Sequence, residues 1–72
     1  MIENRETILL IGGPFASDIH YLKNPPKKYI VPMTKDPFYS FAVYLMSKEY
    51  TRLGERIAIF SHCKKRDRNG QK

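Results

Sequence analysis

The chain has 72 residues, one cysteine, and 13 basic side chains against seven acidic ones, for a formal net charge of +6. A domain of this size buries only about 60% of the surface its unfolded chain exposes, and a single cysteine cannot form an intramolecular disulfide. The composition therefore excludes a disulfide-stapled secreted scaffold, and the lack of any apolar run of spanning length excludes a transmembrane helix.

The opening residues Met1-Ile2-Glu3-Asn4-Arg5-Glu6 are polar and mixed in charge, unlike a signal peptide, so the cytoplasm is the expected site of action. Residues 7–11 form the first expected strand. Ile8-Leu9-Leu10-Ile11 is a short, half β-branched apolar run that stops at Gly12-Gly13-Pro14. The glycines permit positive φ, and Pro14 fixes its own φ and lacks an N–H, so the chain changes direction here. No Lys-Ser or Lys-Thr follows, which removes a phosphate-cradling reading. Residues 15–22 can hold a second strand, in which Ile19 and Tyr21 alternate with His20 and Leu22. Lys23-Asn24-Pro25-Pro26-Lys27-Lys28 is a loop, since paired prolines exclude helix. Residues 29–31 are a short strand closed by Pro32, and residues 34–37 form the next connection.

Residues 38–50 admit two readings. Asp36-Pro37 suits an N-cap and N1 pair, and Gly54 suits a C′ stop, so a short helix within residues 37–53 would align Phe38, Phe41, Ala42, Leu45 and Glu49. Glu49 breaks that stripe. In the strand reading Phe41, Val43 and Leu45 share one face and Ala42, Tyr44 and Met46 the other, and the density of Phe, Tyr and Val favours it. A turn near residues 52–55 then leads to the clearest strand, residues 56–62, with Ile57 and Ile59 on one face and Ala58 and Phe60 on the other. The fold class is mainly β: a small antiparallel sheet or half-barrel of four to five strands. Residues 1–63 make one small domain. Residues 64–72 carry five basic side chains against one acidic, a net of +4, with no apolar residue among them. They read as a flexible basic tail.

Residues able to do chemistry are sparse. Cys63 beside His62 is the only soft-ligand pair, with His20 the one further strong candidate, short of the four ligands of a zinc site. Adjacent strand residues also point to opposite faces, which separates a Cys–His nucleophile pair as well. The carboxylates Glu3, Glu6, Asp18, Asp36, Glu49 and Glu55 are scattered. No enzyme, metal or cofactor is expected. Binding reads better, because tyrosines and phenylalanines interleave with Lys27, Lys28, Lys35, Lys48, Arg52 and Arg56 in the manner of a sheet that stacks bases along a phosphate backbone. Against this, rings such as Phe41 and Phe60 are expected in the core, whereas Tyr29, Tyr39 and Tyr50 suit a wet surface.

Leu10-Ile11-Gly12-Gly13-Pro14, Val31-Pro32, Tyr44-Leu45 and Ile59-Phe60-Ser61-His62 together resemble a pattern in short proteins of tailed bacteriophages. The chain departs from the pattern at Phe15-Ala16-Ser17-Asp18, where Asp-Gly is usual. Size and charge resemble one type in particular, the small transcription regulator of a lytic Xanthomonas phage that binds host RNA polymerase. The resemblance implies a non-enzymatic monomer in the infected cell. It would contact the amino-terminal region of β′ and the flap of β near the RNA exit channel, block σ-dependent initiation and promote antitermination. For the partner-facing residues, two groups are expected on exposed chain: Arg5 and Glu6 before the first strand, and Tyr50, Arg52 and Arg56 around the Gly54 turn. Lys27, Lys28, Lys64, Lys65, Arg66 and Arg68 are the expected contacts to nascent RNA. The alternatives are a stand-alone single-stranded nucleic-acid binder and a minor virion structural protein.

Overall fold

The β-branched and aromatic runs all become strands in the computed structural model, which describes residues 5–66. The strands are β1 (Arg5–Ile11), β2 (Ile19–Lys23), β3 (Lys28–Pro32), β4 (Tyr39–Tyr50) and β5 (Arg56–Lys65), and no helix occurs among the described residues. They form one sheet in the order β2-β1-β5-β4-β3. The mainly β half-barrel is thus the fold. The sheet is mixed rather than wholly antiparallel, because β5 returns to pair parallel with β1 through Leu9↔Ile57 and Ile11↔Ile59.

The edge strands β2 and β3 are consecutive in the chain and joined only by residues 24–27. From Lys23 to Lys28 the chain reaches at most about 17 Å, whereas a flat five-stranded sheet separates its outer strands by about 19 Å. The short link therefore requires the sheet to curl. Its edges meet where His20 Nδ1 and the Tyr29 hydroxyl lie 2.6 Å apart, with their rings edge-on at 5.4 Å. The concave face holds the core of Ile8, Leu10, Val31, Ala42, Tyr44 and Ala58, with Leu22, Met46 and Phe60 packed against it.

Residues 38–50 take the strand reading, and the helix does not form. β4 is an interior strand, paired with β3 on one side and β5 on the other. That position satisfies its backbone twice and buries Ala42, Val43 and Tyr44. The Asp36 carboxylate does accept backbone N–H groups as an N-cap would, from Phe38 at 2.7 Å and Tyr39 at 2.9 Å. Here it closes a turn that feeds a strand.

The second strand starts at Ile19, later than the sequence suggested. Residues 13–18 instead fold into successive turns, with Ala16 N–H on the Gly13 carbonyl, Asp18 N–H on the Phe15 carbonyl, and Ser17 at φ 71°. The expected tail boundary at residue 63 also moves. β5 includes Lys64 and Lys65, and Arg66 is tied down beyond it: its N–H donates to the Phe38 carbonyl, and its guanidinium donates to the carbonyls of Met33, Asp36 and Tyr39 at 2.9–3.2 Å. Three carbonyls converging on one guanidinium supply the anchor that an apolar side chain would otherwise provide. Residues 67–72, including Arg68, lie outside the described residues.

Candidate functional site

The two groups expected to face a partner meet through Glu6, Tyr50 and Arg56. Parallel pairing of β1 with β5 sets Ile8 opposite Arg56, so the start of β1 meets the β4–β5 turn. Glu6 accepts a hydrogen bond from the Tyr50 hydroxyl at 2.7 Å and pairs with the Arg56 guanidinium at 3.3 Å. Arg56 also donates to the Ser47 carbonyl at 2.6 Å and lies 5.9 Å from the centre of the Tyr50 ring. The bond to the Glu6 carboxylate holds the Tyr50 phenol above its ordinary pKa, since ionising it would set two negative charges side by side. Arg5 borders the cluster and lines an open cavity of about 450 Å³ with Glu6, Tyr21 and Lys23. Arg52 sits exposed at the turn tip, outside the Glu6–Arg56 contacts. The turn itself is shaped by Thr51, whose Oγ1 accepts the N–H groups of Leu53 and Glu55, and by Gly54 at φ 87°. Tyr50 and Arg52 are thus presented to solvent, whereas Arg56 and Glu6 mostly hold the end of the sheet together.

The residues expected to face RNA split into two places. Lys28 opens β3 with Lys27 just before it, and Lys64 and Lys65 close β5 with Arg66 just beyond it. On β4, which separates them, Lys28 pairs with Leu45 and Lys64 with Phe41, four positions apart. Arg66, though exposed, is hydrogen-bonded to the Met33, Asp36 and Tyr39 carbonyls. Of the rings that suited a wet surface, Tyr50 is exposed, while Tyr29 and Tyr39 are half-buried. Burial pushes the Tyr29 phenol above its ordinary pKa. Phe60 packs on the core, and Phe41 is half-buried on the opposite face.

That opposite, convex face is the surface the sequence reading missed. One ladder row crosses four strands as Lys28–Leu45–Ile59–Ile11, the next reads Ile30–Val43–His62, and a third reads Pro32–Phe41–Lys64. Ile11, Ile30, Leu45 and Ile59 keep 42–51% of their surface exposed. Val43 is 4% exposed although it stands outside the core cluster, so its neighbours on the convex face bury it. The available signal was that β1, β4 and β5 are apolar on both faces. A single-layer sheet of this length can cover only one of them.

The soft ligands stay apart from one another among the described residues. His62 and Cys63 leave β5 on opposite sides: Cys63 packs toward the core with its sulfur 3.9 Å from that of Met33, and His62 is exposed beside Ser61 Oγ at 2.9 Å. His20 is engaged by Tyr29. Among the described residues no three His, Cys, Asp or Glu side chains are placed to share a metal ion, and no helix is long and apolar enough to cross a membrane. No protein-family model, curated protein or solved structure matches this chain.

Proposed function

We propose that this protein is a non-enzymatic phage regulator of host transcription that acts by binding RNA polymerase. Contact would fall near the RNA exit channel, with the amino-terminal region of β′ and the flap of β as the surfaces engaged. Binding would hinder σ-dependent initiation and favour read-through of terminators, by steric occlusion together with the field of its basic side chains. The observation that carries the reading toward a protein partner is the convex sheet face. Contiguous exposed aliphatic surface marks a protein-binding site, whereas a single-stranded nucleic-acid platform presents flat rings for bases to stack on. The exposed apolar side chains that dominate the convex rows, Ile11, Ile30, Leu45 and Ile59, are aliphatic, and His62 is the single exposed aromatic ring among them.

The test is reconstitution with purified host core polymerase. The expected outcome is a stable complex, loss of σ-dependent initiation when the protein is added before σ, and increased read-through at an intrinsic terminator. Binding to a single-stranded oligonucleotide with no affinity for polymerase would instead identify a nucleic-acid module. Association only with assembled phage particles would identify a virion component.

A further inference from the structure

We infer that the convex face of β1, β5, β4 and β3 seats an acidic segment of the polymerase, one whose aliphatic side chains are flanked by carboxylates. The inference rests on the polymerase reading above and specifies the surface and its complement. The apolar rows are stiff and closely spaced. Strands lie about 4.8 Å apart, so the four residues of the row Lys28–Leu45–Ile59–Ile11 cover about 14 Å. Every charged side chain in the three rows is a cation, Lys28 at the β3 edge and Lys64 toward the end of β5. Both are exposed. A partner that covers Leu45 and Ile59 thus meets positive charge at two corners of the patch, and carboxylates there would be matched on both sides.

The same charges argue against other occupants. A second copy would bring lysine against lysine, between chains that each carry +6. RNA would gain phosphate contacts from Lys28 and Lys64 but would find mainly aliphatic side chains between them, with His62 the single exposed aromatic ring in the rows and Phe41 half-buried. A membrane surface is usually entered by an amphipathic helix that sinks its apolar face among the acyl chains. Here the apolar side chains are short and spread over a rigid sheet.

Two double variants test the inference against purified host core polymerase. Leu45→Thr with Ile59→Thr keeps β propensity and removes apolar surface. Lys28→Glu with Lys64→Glu reverses the corner charges and touches no core residue. Each is expected to weaken binding at least ten-fold, and the lysine pair also to flatten or reverse the salt dependence. Thermal unfolding checks the fold; should the threonine pair unfold, the lysine pair decides alone. If the wild type binds polymerase and the folded variants bind equally well, this surface is wrong and the polymerase reading stands. If the wild type does not bind polymerase, both fall. Concentration-dependent self-association, or binding to an RNA oligonucleotide or to vesicles containing anionic lipid, that is lost in these same variants while polymerase binding persists would overturn the inference in favour of that occupant.

Discussion

The Tyr44 hydroxyl donates to the Gly12 carbonyl at 2.7 Å, and it accepts the Phe15 N–H at 3.0 Å, which joins the middle of β4 to the turn that ends β1. Tyr44 is fully buried and its ring meets Phe60 edge-on at 5.5 Å. The most buried polar side chain in the core thus satisfies two backbone groups of the turn, the Gly12 carbonyl and the Phe15 N–H. The Gly-Gly-Pro exit is held in place by a residue 32 positions away.

Tyr44→Phe keeps the ring and removes both bonds, leaving the Gly12 carbonyl and the Phe15 N–H without their partner. A loss of about 1–3 kcal/mol is expected. Urea unfolding measures it, and an unchanged midpoint would mean that water replaces the hydroxyl at no cost.

The three glycines with positive φ among the described residues should rank by their surroundings. Gly13 has φ 71°, and a methyl group there would overlap the Phe60 ring and lie 2.9 Å from the Tyr44 hydroxyl. Gly12, at φ 78°, has Phe60 Cβ at an ordinary 3.6 Å, and Gly54, at φ 87°, has open space. Gly12→Ala and Gly54→Ala should each cost about 1 kcal/mol through backbone strain alone. Gly13→Ala should cost about 1–3 kcal/mol more through overpacking. Equal denaturation midpoints for the three variants would contradict the packing argument.

Arg52 and Arg56 should separate cleanly. Arg56→Ala breaks the ion pair with Glu6, whose side chain is only 12% exposed, and the bond to the Ser47 carbonyl, for an expected loss of about 1–2 kcal/mol. Arg52→Ala should stay within about 0.5 kcal/mol of wild type. A fall in polymerase affinity on Arg52→Ala would therefore report a contact, whereas the same fall on Arg56→Ala has to be corrected for lost fold.

Stability should fall in strong alkali. Tyr44 and Tyr29 are held above the ordinary phenol value of 10.0 chiefly by burial, and Tyr50 chiefly by its bond to Glu6. Their neutral forms are favoured in the folded chain, so above pH 10 the unfolded chain loses these protons first. The stabilisation is complete below the unfolded value and disappears as pH rises through the folded ones. Urea midpoints should accordingly fall from about pH 10 upward, with a shallower fall in Tyr50→Phe.

Truncation distinguishes anchor from tail. Ending the chain after Arg66 retains the bonds to Met33, Asp36 and Tyr39, and should leave the unfolding midpoint unchanged while lowering the salt dependence of polymerase binding. Ending it after Cys63 removes the last pairs of β5 with β4 as well, and should destabilise by about 1 kcal/mol or more.

Local chemistry made much of this legible in the linear chain. Apolar runs bounded by Gly-Gly-Pro, Pro-Pro and Asp-Pro place the strands and turns, because proline and glycine restrict φ wherever they stand. The alternation in residues 41–46 and 57–60 separates the two faces of β4 and β5 correctly, since side chains on a strand alternate with period two. What alternation cannot supply is which face is the core when both are apolar. That choice came from the curl imposed by the short link between β2 and β3, which set Tyr44 and Ala58 inside and left Leu45 and Ile59 outside. The parallel pairing of β1 with β5 was likewise invisible. It depends on contacts 48 residues apart, such as Leu9 with Ile57, and no local propensity encodes a partner at that distance. The same pairing merges Glu6, Tyr50 and Arg56 into one cluster. Antiparallel pairing of β4 with β5, which sets Tyr39 opposite Lys65, turns Arg66 from a tail residue into an anchor, because a guanidinium reveals its role only once the carbonyls it binds have been brought together.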